Sequence, residues 1–554
     1  MDASAAHESA IAKCVGCILR VRKRTGGLAV CLLCCFILLR SALTRRVVDV
    51  PRKSVGLFIV KCIKAHILCI ITLVLCAATV AAQSEQSKNN LVNRPNVVMI
   101  VADDHGLDAI GAYGNNVIQT PNIDALAREG ARFVNAFATV SSCSPSRSVM
   151  LTGQHNHTNG MYGLQHKQHH FSSFDDVQSL PVTLSENGYR TARIGKYHLG
   201  PNSVFKFDDV LSEGAANDMT SIARSPVEMA QKSEAFIRRD SAPFFLYFAS
   251  DDPHRGYPFE TYPEPNRFGN REQGYPGIEE VVYQPDDVLV PPYLPDTPAA
   301  QKEIAQYYQA ISRLDQGVGK LVEILKAQGK YDNTLILYLS DNGIAFPGAK
   351  TNLYDAGIHL PLIVKAPAQK NNAVSCTKNI QNCTRHHQLV SWLDLTPTIL
   401  DYANVKPMTT TVQGKSFKAI LENEQPKGWE HVYASHTMHE VMMYYPMRMV
   451  RTKQYKLIWN IAHELSYPFA ADLQQSLIWQ DVRRRGNTQY AGRQIEDFLH
   501  RPEFELFDMQ NDPQEQHNLA DLPQFSRVKH ELIHQLKIFQ QETQDPWIAK
   551  WHYQ

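Results

Sequence analysis

Past residue 76 the sequence is nearly without cysteine: eight of its 11 Cys lie before that point, leaving only Cys143, Cys376 and Cys383. That stretch holds no cysteine pair at zinc-finger spacing, which argues against a structural zinc module. Excess positive charge is missing as well. Residues 1–65 carry 12 Lys+Arg against 3 Asp+Glu, so the remainder has 44 against 52, a net of −8. The charge balance therefore argues against a basic nucleic-acid binder, and any anionic substrate must be met by a local cluster. Internal repeats and long low-complexity tracts are also absent. What remains, 554 residues with 44% hydrophobic and 20% charged, suits a large globular core with a smaller second unit.

His66–Ala82 carries no Asp, Glu, Lys or Arg, follows Lys61 and Lys64, and ends in small residues. This is the order of a signal peptide, at about 61–82, with cleavage after Ala82 and no stable membrane anchor. The predicted organisation is a targeting region at 1–82, a linker at 83–95, a catalytic domain at 96–425 and a smaller C-terminal domain at 426–554. Cys376 and Cys383 are close enough to close a small loop by a disulfide. Cys143 is then unpaired, and in an exported chain it asks for a chemical role. Asn382 is the better glycosylation sequon, and Asn156 is a second.

From Asn96 onward, apolar runs alternate with helical patterns, predicting an α/β domain with a mainly parallel sheet. Strands are expected at Asn96–Ala102, Tyr189–Gly195, Phe244–Ala249 and Thr334–Leu339. Helices are expected over Thr120–Gly130, with Thr120 as cap, and over Ala299–Gln328. Each strand runs into polar residues: Asp103-Asp104, Lys196-Tyr-His198, Asp251-Asp-Pro-His254 and Asp341-Asn342. Ligands of open α/β sheets bind outside the carboxyl ends of the strands, so the four ends predict one crevice. Beyond about Gln413–Trp429, shorter strand-like pieces and a helix near Pro523–Glu542 predict the smaller α+β domain.

Cys143-Ser-Pro-Ser-Arg147, followed by Leu151-Thr152-Gly153, resembles the signature of the sulfatase family. The resemblance runs from about Asn96 to Trp547. The strings SSCSPSR (141–147), NGMYGL (159–164), HHFSSFD (169–175), DPHR (252–255), TNLY (351–354) and HEVMMYYPMR (439–448) resemble its sulfamidase branch. ELFDMQNDPQEQHNLA (505–520) is similar to a closing motif of sulfatases in general. Three positions depart from the branch pattern: Lys350 stands where Arg is usual, Gly256 replaces a cysteine, and His439 is preceded by Met438 rather than another His.

The resemblance implies a fold and a mechanism. The fold would be a large mixed, mainly parallel sheet sandwiched by helices, of alkaline-phosphatase-like type, with the smaller domain helping to shape the pocket. Cys143 would be oxidised to formylglycine by the formylglycine-generating enzyme, and its hydrate supplies one oxygen to attack sulfur and another to expel sulfate. Ca²⁺, one per subunit, would be held by Asp103, Asp104, Cys143, Asp341 and Asn342, hard oxygen ligands of the kind calcium prefers. Lys196 would neutralise sulfate, Arg147 and Asp341 would orient the nucleophile, His254 with Lys350 would protonate the leaving group, and His198 would take a proton from the hydrate. His439 and Glu440 are candidate substrate contacts, and His166, His169 and His170 are further loop candidates.

The implied substrate is the N-sulfated end of heparan sulfate, with an O-sulfatase as the rival, and the implied setting is the lysosome with a homodimer. A phosphohydrolase would use Ser or Thr with zinc, which the cysteine motif argues against. An inactive glycan-binding protein would not need a complete reacting set. If the 20 histidines past residue 82 kept their ordinary pKa, acidic pH would reverse the negative charge and draw in the polyanion.

Overall fold

Asn96–Ala102 forms strand β1, and all seven of its residues are buried. A run without polar alternation is what a strand covered on both faces requires. The computed structural model describes residues 94–214, 220–256, 268–368, 385–407, 411–422 and 426–553. The signal peptide, the Cys376–Cys383 loop and Asn382 lie outside the described residues.

Seven further strands join β1: β2 (Ala131–Phe133), β3 (Arg190–Gly195), β4 (Asp209–Glu213), β5 (Phe244–Ala249), β6 (Thr334–Ser340), β7 (Leu362–Lys365) and β8 (Arg385–His386). Their order is β4-β3-β5-β1-β6-β7-β2-β8. Only β7 runs against the others, so the sheet is mixed and mainly parallel. β3, β5, β1 and β6 are adjacent and parallel, which brings their carboxyl ends to one edge.

Alternate residues of these strands enter two cores. Val98, Ile100, Leu246 and Phe248 pack with Ile123, Met229, Leu314 and Val318. Those partners come from α1 (Pro121–Glu129), α3 (Pro226–Arg238) and α4 (Pro298–Ala327). Val97, Met99, Val101 and Tyr247 face the other way, toward Val149 and Leu151 of α2 (Cys143–Thr152). Each buried side chain of this size contributes roughly 1.5–3 kcal/mol of transfer free energy.

A second sheet contains β9 (Val432–His436), β10 (Met447–Arg451), β11 (Tyr455–Asn460) and β12 (Phe504–Asp508), all antiparallel. Leu532, Leu536 and Phe539 of α5 (Ser526–Glu542) cover one face, against Val450, Leu457, Trp459 and Leu506. The other face sends Met447, Met449, Ile458 and Phe507 into the same core as Val97 and Met99. The second sheet therefore shares a core with the first, inside one unit spanning Asn89–Gln554.

Two local expectations change. Thr120 precedes α1 but does not cap it. Its hydroxyl instead accepts from Gly111 N at 2.9 Å and donates to Asp124 at 3.2 Å. Asn156 is fully buried, and its Oδ1 accepts from Ser435 Oγ at 2.8 Å. A glycan does not fit on that side chain in the folded protein.

Candidate active site

Cys143 is the first residue of α2 and is 1% exposed. Ser142 precedes it with extended backbone, yet its hydroxyl does not cap the helix. That hydroxyl pairs with His439 Nδ1 at 2.8 Å. With no capping hydrogen bond from Ser142, the positive end of the helix at Cys143 favours an anion. At the far end Gly153 caps α2 in the left-handed region (φ 65°), its N–H donating to Val149 O at 2.9 Å. This accounts for the glycine of the Leu-Thr-Gly string. Burial pushes the Cys143 thiol well up, against the pull of Lys350 and Lys196. The unmodified thiol thus stays protonated, and little thiolate, its nucleophilic form, is present.

Arg147, one turn along α2, reaches Asp341 Oδ2 with Nε and Nη2, both at 2.8 Å, and lies 3.5 Å from Asp103 Oδ1. Lys196 Nζ pairs with Asp103 Oδ2. Lys350 Nζ lies 3.0 Å from Asp104 Oδ2. His254 Nε2 is 3.6 Å from the same oxygen, while its Nδ1 is bonded to Arg255 O at 2.7 Å. Asn342 Nδ2 donates to Asp104 Oδ1 at 2.5 Å. His198 sits against His166, the two rings meeting nitrogen to nitrogen. All seven predicted reacting residues and all five predicted ligands thus converge. His439 reaches the residue before the nucleophile, and Glu440 accepts from Ala471 N at 3.1 Å.

The carboxylates are crowded. Burial, with neighbouring carboxylates adding to it, raises Asp104 to about 7 and Asp341 to about 6. Burial would raise Asp103 too, but Lys196, His254, Arg147 and Lys350 hold it well below the usual range. Asp103 Oδ1 and Asn342 Oδ1 are buried acceptors without hydrogen bonds. Oxygens of Asp103 and Asp341, and in a second group Asp104 with His254, lie within 4.8 Å of one another and of Cys143 Sγ. Orphaned oxygens beside carboxylates that burial tends to protonate are a fit for a metal cation. One zinc-type string does occur, His530-Glu-Leu-Ile-His534, on α5. Both of its histidines are exposed, and no third ligand joins them among the described residues.

Backbone strain gathers at the site. Asp104 (φ 68°), His198 (φ 61°) and Thr351 (φ 66°) all occupy the left-handed region without being glycine. Gly343 follows Asn342 because a Cβ there would collide with Ala356 O.

Two residues, Asp472 and Tyr247, escape the sequence reading, and Asp251 stands in it at a strand end without a role. Asp472, on the short helix Ala471–Gln474, places Oδ2 3.0 Å from Lys350 Nζ. Asp251 is fully buried, with neither carboxylate oxygen hydrogen-bonded, and burial raises it to about 6. Tyr247 Oη accepts from Arg147 Nη1 at 3.3 Å. The DD that follows β5 puts Asp251 at the crevice but gives no sign of its unpaired burial, and no local pattern marks Asp472. The charge-reversal expectation also changes. Eleven of the 20 histidines past residue 82 are held below the ordinary imidazole value by burial.

Residues 95–405 match the Sulfatase family, and residues 349–475 match the family described as N-sulphoglucosamine sulphohydrolase, C-terminal. The chain belongs to the sulfatase family and is a hydrolase of that class. It is 40% identical over 473 residues to N-sulphoglucosamine sulphohydrolase of Homo sapiens, covering 82% of this chain and 91% of that protein. An ulvan-active sulfatase of Formosa agariphila is 28% identical, covering 87% of each. A solved structure in complex with its substrate D-glucosamine-2-N,6-O-disulfate superposes with a TM-score of 0.56 at 22% identity, covering 82% of this chain and 99% of that one. A 2-O GAG sulfatase gives 0.58 at 20%, covering 82% and 94%. The two solved structures share the fold.

Proposed function

We propose that this enzyme removes the N-sulfate from non-reducing-end glucosamine of heparan sulfate, in the lysosome. The observation that carries the reading is the buried Cys-Ser-Pro-Ser-Arg helix start, joined by the region that matches the sulphoglucosamine C-terminal family. The human relative's name supports the substrate, and the predicted signal peptide supports export to the lysosome. No helix among the described residues is long and apolar enough to cross a membrane.

Residue 143 is read as formylglycine, so the cysteine sulfur marks where the oxygens of its hydrate would stand. Asp103, Asp104, Asp341, Asn342 and residue 143 would hold Ca²⁺, which supplies positive charge against the sulfate oxygens. Lys196 adds a fixed ammonium on the same side. Arg147, clamped to Asp341, orients residue 143. His254 stands beside Lys350 as the proton donor to the departing nitrogen. Burial, then Lys350, holds its imidazole low, so once protonated against Asp104 and Asp472 it gives the proton up readily. Burial, then Lys196, holds His198 well below the ordinary imidazole value, so it is neutral and able to take a proton when sulfate is released.

The test has two parts. Mass spectrometry of the peptide containing residue 143 should show a species about 18 Da lighter than the thiol, the difference between thiol and aldehyde. Purified enzyme should release sulfate from N-sulfated glucosamine in preference to 6-O-sulfated glucosamine. An intact thiol in fully active protein ends the formylglycine reading, and preference for the O-sulfate ends the sulfamidase reading.

A further inference from the structure

Asp472 stands on the leaving-group side of the site. Its Oδ2 is 3.0 Å from Lys350 Nζ and 3.9 Å from His254 Nε2, the ring nitrogen not committed to Arg255 O. The side chain is 10% exposed, so it is screened from bulk water but not sealed off. Oδ1 accepts from Leu473 N at 2.9 Å, and Glu440 holds the helix start through Ala471 N. Lys350 already has Asp104 at 3.0 Å, so this one ammonium answers two carboxylates. Asp472 therefore has no cation of its own beside the proton donor, and its carboxylate is the surplus acceptor there. Burial opposes the ionised form of Asp472, but Lys350 and His254 outweigh it.

That surplus matters differently to the two kinds of sulfate. When an O-sulfate is cleaved, the leaving oxygen ends as a neutral alcohol. When an N-sulfate is cleaved, the S–N bond breaks with its electron pair staying on nitrogen, and sulfur bonds to an oxygen of residue 143. The nitrogen takes one proton from the donor pair, giving an amine. It takes a second from water at acidic pH, giving an ammonium. A buried carboxylate attracts that developing cation more strongly than it holds a neutral alcohol, which offers it a single O–H hydrogen bond and no charge.

We propose that Asp472 is a specificity-determining residue, whose carboxylate receives the amine nitrogen of the leaving glucosamine and favours N-sulfate over O-sulfate substrates. This rests on the sulfamidase reading above. The side chain comes from the region that matches the sulphoglucosamine C-terminal family, outside the residues that match the general sulfatase family.

The experiment compares full-length wild type with Asp472→Asn and Asp472→Glu. It measures kcat/KM on N-sulfated glucosamine and on an aryl sulfate ester, and inhibition by glucosamine and by N-acetylglucosamine. Losing a charged hydrogen-bond partner should cost Asp472→Asn roughly 10- to 100-fold on the N-sulfate. The loss on the ester should be smaller, so that the N-to-O ratio falls at least about tenfold. Glucosamine should inhibit wild type better than its uncharged acetamide, a preference that Asp472→Asn loses and Asp472→Glu partly keeps. Equal losses on both substrates, or no preference for the amine in wild type, overturn the proposal. If wild type does not cleave the N-sulfate at all, the sulfamidase reading fails, and the inhibitor pair still decides whether Asp472 receives an amine.

Discussion

The strand ends of the main sheet and the short helix bearing Asp472 approach the same nucleophile but are held there by different means. Asp103, Asp104, Asp341 and Asn342 follow directly from buried strands, so adjacent parallel pairing fixes them together. Asp472 depends on contacts between distant parts of the chain. Thr351 Oγ1 meets Tyr467 Oη at 2.6 Å, Arg501 donates to Asn352 Oδ1 at 2.5 Å, and Tyr354 Oη donates to Glu505 at 2.7 Å. The Thr-Asn-Leu-Tyr string is thus a docking surface as well as a family resemblance. A sheet edge gives a general sulfate-cleaving site, and the docked region brings the side chains that can tell one leaving group from another.

The largest expected effect breaks the strand-end half. Asp341→Asn removes an anion from the candidate metal site and the partner of Arg147, and activity should fall by about 10³-fold or more. Calcium binding, followed by calorimetry, should weaken with it. His254→Ala should slow turnover by about 10²-fold or more, the usual weight of a general acid, with calcium affinity kept. If His254→Ala loses the metal and Asp341→Asn does not, the assigned roles are wrong.

A smaller effect is expected from the docked half. Arg448, within the string at 439–448, is fully buried and pairs with Asp545 at 2.5 and 2.8 Å. Arg448→Met leaves Asp545 buried without its partner, which should lower unfolding free energy by about 3–5 kcal/mol. Chemical denaturation measures this. A loss under 1 kcal/mol would mean that α5 is held by its apolar face alone.

The smallest effect is a pH dependence of stability. His157 Nδ1 pairs with Ser435 Oγ and Nε2 with Thr543 Oγ1, both at 2.9 Å, joining the start of the first core to the end of the chain. Burial lowers it to about 3, partly offset by Asp545. The unfolded imidazole titrates near 6.5, so between the two values the unfolded state binds more protons and stability falls as pH falls. From pH 7 to 5 the loss from this residue alone is about 2 kcal/mol. Melting temperatures of wild type and His157→Gln across that range should converge at pH 5. Parallel curves would assign the acid sensitivity to other groups.

The strands β1, β5 and β6 were legible because buried parallel strands are written as unbroken apolar runs, and the residues ending them are necessarily neighbours in sequence. The nucleophile was legible for a similar reason: helix start, cation and capping glycine lie within 11 residues, from Cys143 to Gly153. The ends of elements were less so. Thr120 has the chemistry of a cap, but Gly111 and Asp124 compete for its hydroxyl. Asn156 carries a sequon that reports nothing of its burial under Ser435. The histidine charge also went astray, because a pKa depends on surroundings that residue type does not record.

By itself, then, the chain's order of residues determined the parallel sheet, the cysteine-bearing helix and the polar groups at four strand ends, all of them local patterns of burial and spacing. Only the tertiary structure decided that the second sheet shares the first one's core, that burial holds eleven histidines below the ordinary imidazole value, and that Asp472 sits 3.0 Å from Lys350 across 122 residues of chain. Those outcomes rest on desolvation and on contacts between distant segments, and neither leaves a period or a motif in the sequence.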